Sequence, residues 1–234
     1  VYVDQAAGSG FDTPMYGLGV AVGDYDRDGD SDVYITCLGE DRLFRNDGDA
    51  VFADVTRDAG LGSPAMGASA AWFDYNRDGL LDLYVCNYVD WSIEDDIYCT
   101  LDGVTKSYCT PESYNGVADI LYRNNGNGTF ADVSQAVGVH DPTSKSLGVV
   151  AFDHNGDGHL DIFVSNDTEP DKLYENVGDG TFEEIGMLAG VAYDEGGIAR
   201  AGMGVDAVDF DRIGRPSLVV GNFSNEMISL LRNE

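Results

Sequence analysis

Asp24-Tyr-Asp-Arg-Asp-Gly-Asp-Ser-Asp32 is an acidic loop that recurs twice along the chain, as Asp74-Tyr-Asn-Arg-Asp-Gly-Leu-Leu-Asp82 and as Asp153-His-Asn-Gly-Asp-Gly-His-Leu-Asp161. Each copy has Asp or Asn at positions 1, 3 and 5, Gly at position 6 and Asp at position 9. Oxygen ligands at alternate positions, with a glycine that lets the backbone turn sharply, are what a calcium ion requires. Asp-Gly clusters also form ordinary turns. Three copies in register nevertheless predict three calcium sites.

The spacing gives an expected ligand set for each ion. Positions 1, 3, 5 and 9 would contribute side-chain oxygens, and position 7 would contribute its backbone carbonyl. The predicted sets are Asp24, Asp26, Asp28, Asp30 and Asp32; Asp74, Asn76, Asp78, Leu80 and Asp82; and Asp153, Asn155, Asp157, His159 and Asp161. A fourth copy at residues 209–217 has Ile213 and Ser217 in place of two carboxylates, so we expect no ion there. Arg212 or Arg215 could supply positive charge in its place.

An EF-hand begins with the same pattern, but the rest of the sequence excludes it. An EF-hand needs a bidentate Glu at position 12 and a helix on each side of the loop. Position 12 is apolar in all three copies, where it is Ile35, Val85 and Val164. The flanking segments are short runs of β-branched and aromatic residues, which predict strands. The ion is therefore expected between two strands of a hairpin.

The repeat extends beyond the loop. A third strand, Asp41-Arg-Leu-Phe-Arg-Asn46, recurs at residues 119–124 and 171–176, and a Gly-rich turn and a fourth strand follow each copy. Four antiparallel strands in a unit of about fifty residues are typical of a propeller blade. The fold class is therefore all-β, a β-propeller forming a single domain over residues 1–234.

The number of blades is a separate prediction. Residues 1–11 align with residues 51–61, the fourth strand of the first repeat, and the chain stops after a third strand. We expect the N-terminal strand to complete the last blade and close a ring of four, which would leave no open sheet edge. The alternative is part of a larger propeller.

These motifs together resemble the FG-GAP/VCBS repeat family, which builds the integrin α-subunit propeller and many secreted bacterial proteins. The Asp-x-Asp-x-Asp-Gly-x-x-Asp loop and the Leu-Tyr-Arg-Asn-Asn-Gly-x-Gly-Thr-Phe stretch that ends at Phe130 carry the resemblance. A Cys-bearing insertion before the third strand makes the chain similar to the bacterial branch related to cartilage acidic protein. The resemblance implies calcium in the loops and a propeller that usually has seven blades.

Composition limits the compartment and the partners. The formal net charge is -29, which disfavours nucleic acid and anionic lipid. The sequence has no transmembrane segment of about twenty apolar residues, although docking to a membrane-protein complex stays open.

Cys99 and Cys109 lie in the insertion, at about residues 88–118, and are expected to form a disulfide. Cys37 and Cys86 are expected as buried thiols, with an inter-blade pair as the alternative. A disulfide and calcium loops both favour an extracellular or periplasmic location.

No catalytic constellation is present: the sequence has no nucleophile elbow, phosphate-binding loop or dinucleotide fingerprint. The insertion gathers aromatic residues, among them Trp91, Tyr98 and Tyr108, which would form an interface or fold back as a cap. We expect a non-enzymatic, calcium-binding interaction or scaffold module for a protein partner, either alone or as a subunit of a larger assembly. The alternative is a glycan-binding lectin or a polysaccharide lyase.

Overall fold

The computed structural model describes all 234 residues, and its regular secondary structure consists almost entirely of antiparallel strands. Three sheets have four strands each, one has three, and one is a two-stranded hairpin in the insertion. Sheet I contains β1 Gly17–Gly23, β2 Asp32–Cys37, β3 Arg42–Asn46 and β4 Phe52–Asp54. Sheet II contains β5 Gly67–Phe73, β6 Asp82–Asn87, β9 Ile120–Asn124 and β10 Phe130–Asp132, with β7 Cys99–Thr100 and β8 Lys106–Ser107 forming the hairpin. Sheet III contains β11 Ser146–Phe152, β12 Asp161–Asn166, β13 Lys172–Asn176 and β14 Phe182–Glu184, and sheet IV contains β15 Gly202–Val208, β16 Ser217–Asn222 and β17 Ser229–Leu231.

The predicted four-stranded antiparallel sheets are confirmed. In each sheet the first two strands pair across the acidic loop, as Val22 with Val33 in sheet I. The only helices are one 3₁₀ turn, Pro111–Ser113, and two four-residue helices, α1 Ser134–Val137 and α2 Gly186–Ala189. No helix of the structure is long and apolar enough to cross a membrane.

The core lies between successive sheets. Every residue of β6 and of β12 is buried, because sheets II and III are each covered on both faces by a neighbouring sheet. Three apolar layers result, between sheets I and II, between II and III, and between III and IV. The first strands β1, β5, β11 and β15 lie side by side in that order. This arrangement brings the acidic loops into a row at one end of the sheets.

The expected closure of a ring by an N-terminal strand is not found. Val1, Tyr2 and Val3 are exposed and lie outside any strand, and sheet IV has three strands, with β17 paired to β16 alone. The backbone N–H of Phe52 donates to the carbonyl of Ser9 at 2.6 Å, which holds residues 9–11 against sheet I. No packing comparable to that of β1 on β5 joins β15 to β1. The N-terminal segment therefore stays at the sheet I end of the row.

The cysteine predictions are borne out. Cys99 and Cys109 form a disulfide with 5.2 Å between their Cα atoms. Cys37 and Cys86 are free and buried, so the alternative inter-blade disulfide is not formed. The disulfide closes the β7–β8 hairpin of the insertion, where the strands are only two residues long.

Candidate metal centre and insertion

Loop I (residues 24–32) gathers its carboxylates through its own backbone. The N–H of Asp28 and that of Gly29 each donate to Asp24, to Oδ1 and Oδ2 respectively, both at 3.1 Å. The N–H of Asp30 donates to Asp28 Oδ1 at 2.9 Å. With these bonds in place, carboxylate oxygens of Asp24, Asp26 and Asp28 lie within 4.8 Å of one another. Positions 1, 3 and 5 of the predicted set are therefore brought together.

Loops II (residues 74–82) and III (residues 153–161) repeat this arrangement. Gly79 and Gly158, at position 6, donate to Oδ2 of Asp74 and of Asp153, in both cases at 2.8 Å. Position 3 is Asn in these loops, and its amide nitrogen donates to the carboxylate at position 5, at 3.0 Å from Asn76 to Asp78 and at 3.1 Å from Asn155 to Asp157. Position 4 has a left-handed backbone, with φ of 63° at Arg27 and 60° at Arg77, which explains why Gly156 suits the same place in loop III.

The aspartate at position 9 has a role that the sequence did not reveal. Asp32, Asp82 and Asp161 are fully buried, and each accepts a hydrogen bond on both carboxylate oxygens. In loop II these bonds come from the backbone N–H of Tyr75 at 3.3 Å and of Asn124 at 2.8 Å. Position 9 therefore ties the loop to the third strand of its own sheet. The structure does not bring it together with the carboxylates at positions 1, 3 and 5, since the group within 4.8 Å in loop I contains Asp24, Asp26 and Asp28 but not Asp32.

Burial sets the charge state of these aspartates. Desolvation raises the pKa of Asp32 to about 6 and that of Asp82 to about 7, against the opposing effect of their backbone hydrogen bonds. Desolvation also raises the pKa of Asp161. A bound divalent cation would oppose this shift, because it favours the charged carboxylate.

We therefore expect the metal-free protein to become less stable as pH rises. A folded-state pKa above the unfolded value means that the folded protein holds more protons between about pH 4 and pH 7, so the free energy of unfolding falls across that window. The metal-free protein should melt at a higher temperature at about pH 5.5 than at about pH 7.5, and about 1 mM calcium should reduce this difference. Differential scanning fluorimetry at both pH values, with and without calcium, measures it. A metal-free melting temperature that rises with pH would contradict the expectation.

An asparagine at the end of the third strand connects neighbouring sheets. Nδ2 of Asn124 donates to the carbonyl of Leu81 in its own loop at 3.0 Å and to that of Tyr25 in loop I at 2.9 Å. Asn176 and Asn233 bridge to the carbonyls of Tyr75 and His154 in the same way. The sequence shows only that an asparagine recurs at the end of each third strand. It does not reveal the bond between sheets, because the partner of Asn124 in loop I lies about a hundred residues away along the chain.

The loops also contact one another directly. The guanidinium of Arg77 in loop II donates to the carbonyl of Gly158 in loop III. The guanidinium of Arg27 in loop I lies against Gly79 of loop II. Successive loops are thus linked by an arginine at position 4 as well as by the asparagines.

The fourth loop keeps the backbone arrangement without the acidic ligands. Asp209 accepts hydrogen bonds from the N–H of Ile213 at 3.0 Å and of Gly214 at 2.9 Å, as position 1 does in the other loops. Asp211 is paired with Arg232, whose Nε lies 2.9 Å from Oδ2. The sequence had suggested Arg212 or Arg215 as the local positive charge, and the structure assigns that place to Arg232. The loop's shape therefore does not depend on a full set of carboxylates.

The residues of loop I fit a hard divalent cation. Asp24, Asp26 and Asp28 take part in no ion pair with Lys, Arg or His, so their charges repel one another. Oxygen donors of this kind, with no sulfur and no imidazole among them, match calcium better than zinc or copper. His159 lies at position 7, and Nε2 of His154 lies 3.1 Å from Oε2 of Glu175.

The insertion lies at the opposite end of sheet II from loop II, because it follows the far end of β6. Tyr88 folds back and donates from its hydroxyl to Asp167 of sheet III. Trp91 is half-buried, whereas Tyr98 is 61% and Tyr108 is 97% exposed. The aromatic residues thus divide between the two roles that the sequence left open, with Tyr88 as part of a cap and Tyr98 and Tyr108 on the surface.

The chain is similar to known proteins over most of its sequence. The family model described as FG-GAP-like repeat matches residues 24–85, 95–164 and 153–220. Cartilage acidic protein 1 is 43% identical over 56 residues in Mus musculus and 41% identical over 56 residues in Homo sapiens. Each match covers 24% of this chain, but only 9% of the mouse protein and 8% of the human protein.

Two solved structures are similar in part. One is an Agrocybe aegerita lectin that recognises non-reducing terminal N-acetylglucosamine, with a TM-score of 0.42, 19% identity, and coverage of 91% of this chain and 48% of the lectin. The other is the V. cholerae biofilm matrix protein Bap1, with a TM-score of 0.36, 15% identity, and coverage of 89% of this chain and 35% of that one. The repeated acidic loops, the four-stranded sheets and the family match over most of the sequence agree: the chain belongs to the FG-GAP-like repeat family.

Proposed function

We propose that this protein is a calcium-binding module in which the ions stabilise the edge of a β-propeller and the insertion makes contact with a partner. The observation that carries this proposal is the group of Asp24, Asp26 and Asp28, whose oxygens lie within 4.8 Å of one another. Three like charges at that separation repel one another unless a cation joins them. When bound, calcium supplies positive charge and a rigid link between the two strands of each hairpin.

We propose that the four sheets are propeller blades set in an arc. The outer face of sheet I exposes apolar side chains of β1, namely Leu18, Val20 and Val22. Nδ2 of Asn46, the equivalent of Asn124, donates only to the carbonyl of Ser31 in its own loop, at 3.2 Å. Its second amide hydrogen would meet the loop of a preceding blade. These features favour a larger ring over closure by four blades, and small-angle scattering would distinguish an open arc from a compact closed ring.

We propose an extracellular or periplasmic location and no catalytic role. The Cys99–Cys109 disulfide favours an oxidising compartment, where calcium sites with dissociation constants of about 10⁻⁴ to 10⁻³ M would be filled. The loops hold hydrogen-bonded carboxylates and no nucleophile paired with a base. Glycan binding is the second candidate, because exposed tyrosines such as Tyr98 and Tyr108 can stack on sugar rings.

Calcium stoichiometry tests the proposal. Isothermal titration calorimetry and, separately, inductively coupled plasma mass spectrometry should each find about three calcium ions per chain at millimolar calcium. Replacing Asp24→Asn with Asp28→Asn should remove one ion, because both changes take charge from loop I. The matched control, Asp209→Asn with Asp211→Asn in the fourth loop, should leave the count unchanged. Fewer than one ion per chain would refute calcium binding, and four ions would refute the assignment of the fourth loop.

A further inference from the structure

The insertion and the end of sheet II enclose a cleft with a volume of ≈ 680 Å³. Met66 lines it from the sheet side, and Val89, Trp91, Tyr108 and Tyr114 line it from the insertion. This volume is in the range of pockets that hold drug-sized ligands, so it has room for a large apolar side chain together with neighbouring residues of a peptide segment. The cleft lies at the end of the sheets remote from the calcium loops, and the proposed ions do not touch it.

The charged groups at the cleft, and the hydroxyl of Tyr88, are already paired within the protein. Asp96 accepts from Nε1 of Trp91 at 3.2 Å and from the ammonium of Lys106. Tyr88 donates its hydroxyl to Asp167. A sugar needs several free donors and acceptors to replace the water around its hydroxyls. At the cleft only the hydroxyls of Ser107, Tyr108 and Tyr114 have no partner within the protein, and the rest of the lining is apolar or already paired, so it suits an apolar anchor better than a sugar ring.

The surroundings of the cleft are strongly acidic. The insertion, residues 88–118, contains one lysine, no arginine and six acidic residues: Asp90, Glu94, Asp95, Asp96, Asp102 and Glu112. All six are exposed, and only Asp96 has a basic partner, which is Lys106. Charges placed in this way around an apolar centre steer a cationic partner and repel an anionic one.

The cleft is held in shape before any partner arrives. Asp90 accepts from the backbone N–H of Asn115 at 2.9 Å and from its Nδ2 at 2.8 Å, and these bonds close the base of the insertion. The backbone N–H of Val117 donates to the carbonyl of Ser144 at 3.0 Å, which attaches the same base to the approach to sheet III. The disulfide fixes the outer hairpin. A preorganised surface loses less entropy on binding.

We propose that this cleft binds an apolar or aromatic side chain presented by a cationic segment of a partner protein. This rests on the proposed interaction function and names the chemistry of the partner. The anchor would fill the space between Trp91 and Tyr108, and flanking lysines or arginines would pair with Glu94 and Asp95. Central aromatic anchors with a charged rim are the usual source of affinity and selectivity in such interfaces.

The test uses the full chain in calcium and three fluorescein-labelled synthetic peptides. The first has a central Phe flanked by lysines, the second has Ser in place of the Phe, and the third has glutamates in place of the lysines. Fluorescence anisotropy should show binding of the first, about tenfold weaker binding of the second and none of the third. Tyr108→Ala should weaken the first by about tenfold, since the ring is exposed and the change should leave folding intact.

A charge-matched pair of variants separates the rim from the acidity of the whole chain. Glu94→Gln with Asp95→Asn should weaken binding, while Asp58→Asn with Glu183→Gln, at exposed positions in the turn after β4 and in β14, should not. Absence of peptide binding would overturn the proposal, as would binding that ignores the Phe or Tyr108. Binding of the neutral sugar maltotetraose that is lost in Tyr108→Ala would also overturn it and would favour a glycan site. The ion count on the same preparation shows independently whether the calcium proposal stands.

Discussion

Removal of calcium is expected to lower the melting temperature by roughly 10 to 15 °C. A single site with a dissociation constant of about 0.1 mM contributes about 1.4 kcal/mol to folding at about 1 mM calcium, and three sites contribute about 4 kcal/mol. For a chain of this length, each kcal/mol shifts the melting temperature by about 2 to 4 °C. Repulsion among Asp24, Asp26 and Asp28 acts in the same direction once the cation has gone. Thermal unfolding followed by circular dichroism, in EDTA and in calcium, measures the change.

The specificity of the effect is checked by adding other ions back. Calcium in excess of the chelator should restore the melting temperature, and magnesium at the same concentration should restore less, because magnesium requires a smaller octahedral site. The variant with both Asp24→Asn and Asp28→Asn should show about two thirds of the wild-type change on chelation. A melting temperature that is the same in EDTA and in calcium would end the proposal that ions hold the loops.

The local features of this fold were predictable because the sequence repeats them. The acidic loop and its two flanking strands recur with constant internal spacing, and each depends on residues that are close along the chain. The Asn-terminated third strand recurs as well, although the insertion separates it from β6 in sheet II. The Cys99–Cys109 disulfide was predictable for the same reason, since the two residues are 10 positions apart and share one insertion. The spacing of the loop residues alone predicts calcium, and the family resemblance leads to the same expectation.

The relations between repeats were not predictable in the same way. The alignment of residues 1–11 with residues 51–61 correctly predicts that the two segments are equivalent. The carbonyl of Ser9 accepts a hydrogen bond from the N–H of Phe52, and the carbonyl of Ala59 accepts the corresponding bond from the N–H of Phe130. It cannot show whether sheet IV comes close enough to receive a strand, since that depends on the angle between sheets. The bonds of Asn124 and the pairing of Asp211 with Arg232 join residues that no local pattern connects. Aspartates at position 9 look like ordinary ligands until their burial is known.

Asp82→Ala should be the most damaging single substitution in the calcium loops. The side chain is fully buried, and its loss would leave the backbone N–H groups of Tyr75 and Asn124 without acceptors. An unsatisfied buried donor costs about 1 to 3 kcal/mol, so the two together should cost about 3 to 5 kcal/mol and lower the melting temperature by roughly 10 °C. This loss should persist in EDTA, because the hydrogen bonds form without the ion.

Asp78→Ala, in the same loop, is the matched control for the role of Asp82. Asp78 is exposed, and its bonds to the N–H of Leu80 and to Asn76 can be replaced by water. In calcium this variant should lose about 1.4 kcal/mol with its ion, whereas in EDTA it should be neutral or slightly stabilising because one repelling charge is gone. Urea unfolding of both variants with and without calcium separates the two roles. Equal losses for the two variants in EDTA would mean that position 9 is only a ligand, whereas a loss confined to Asp82→Ala would establish it as the residue that ties the loop to its sheet.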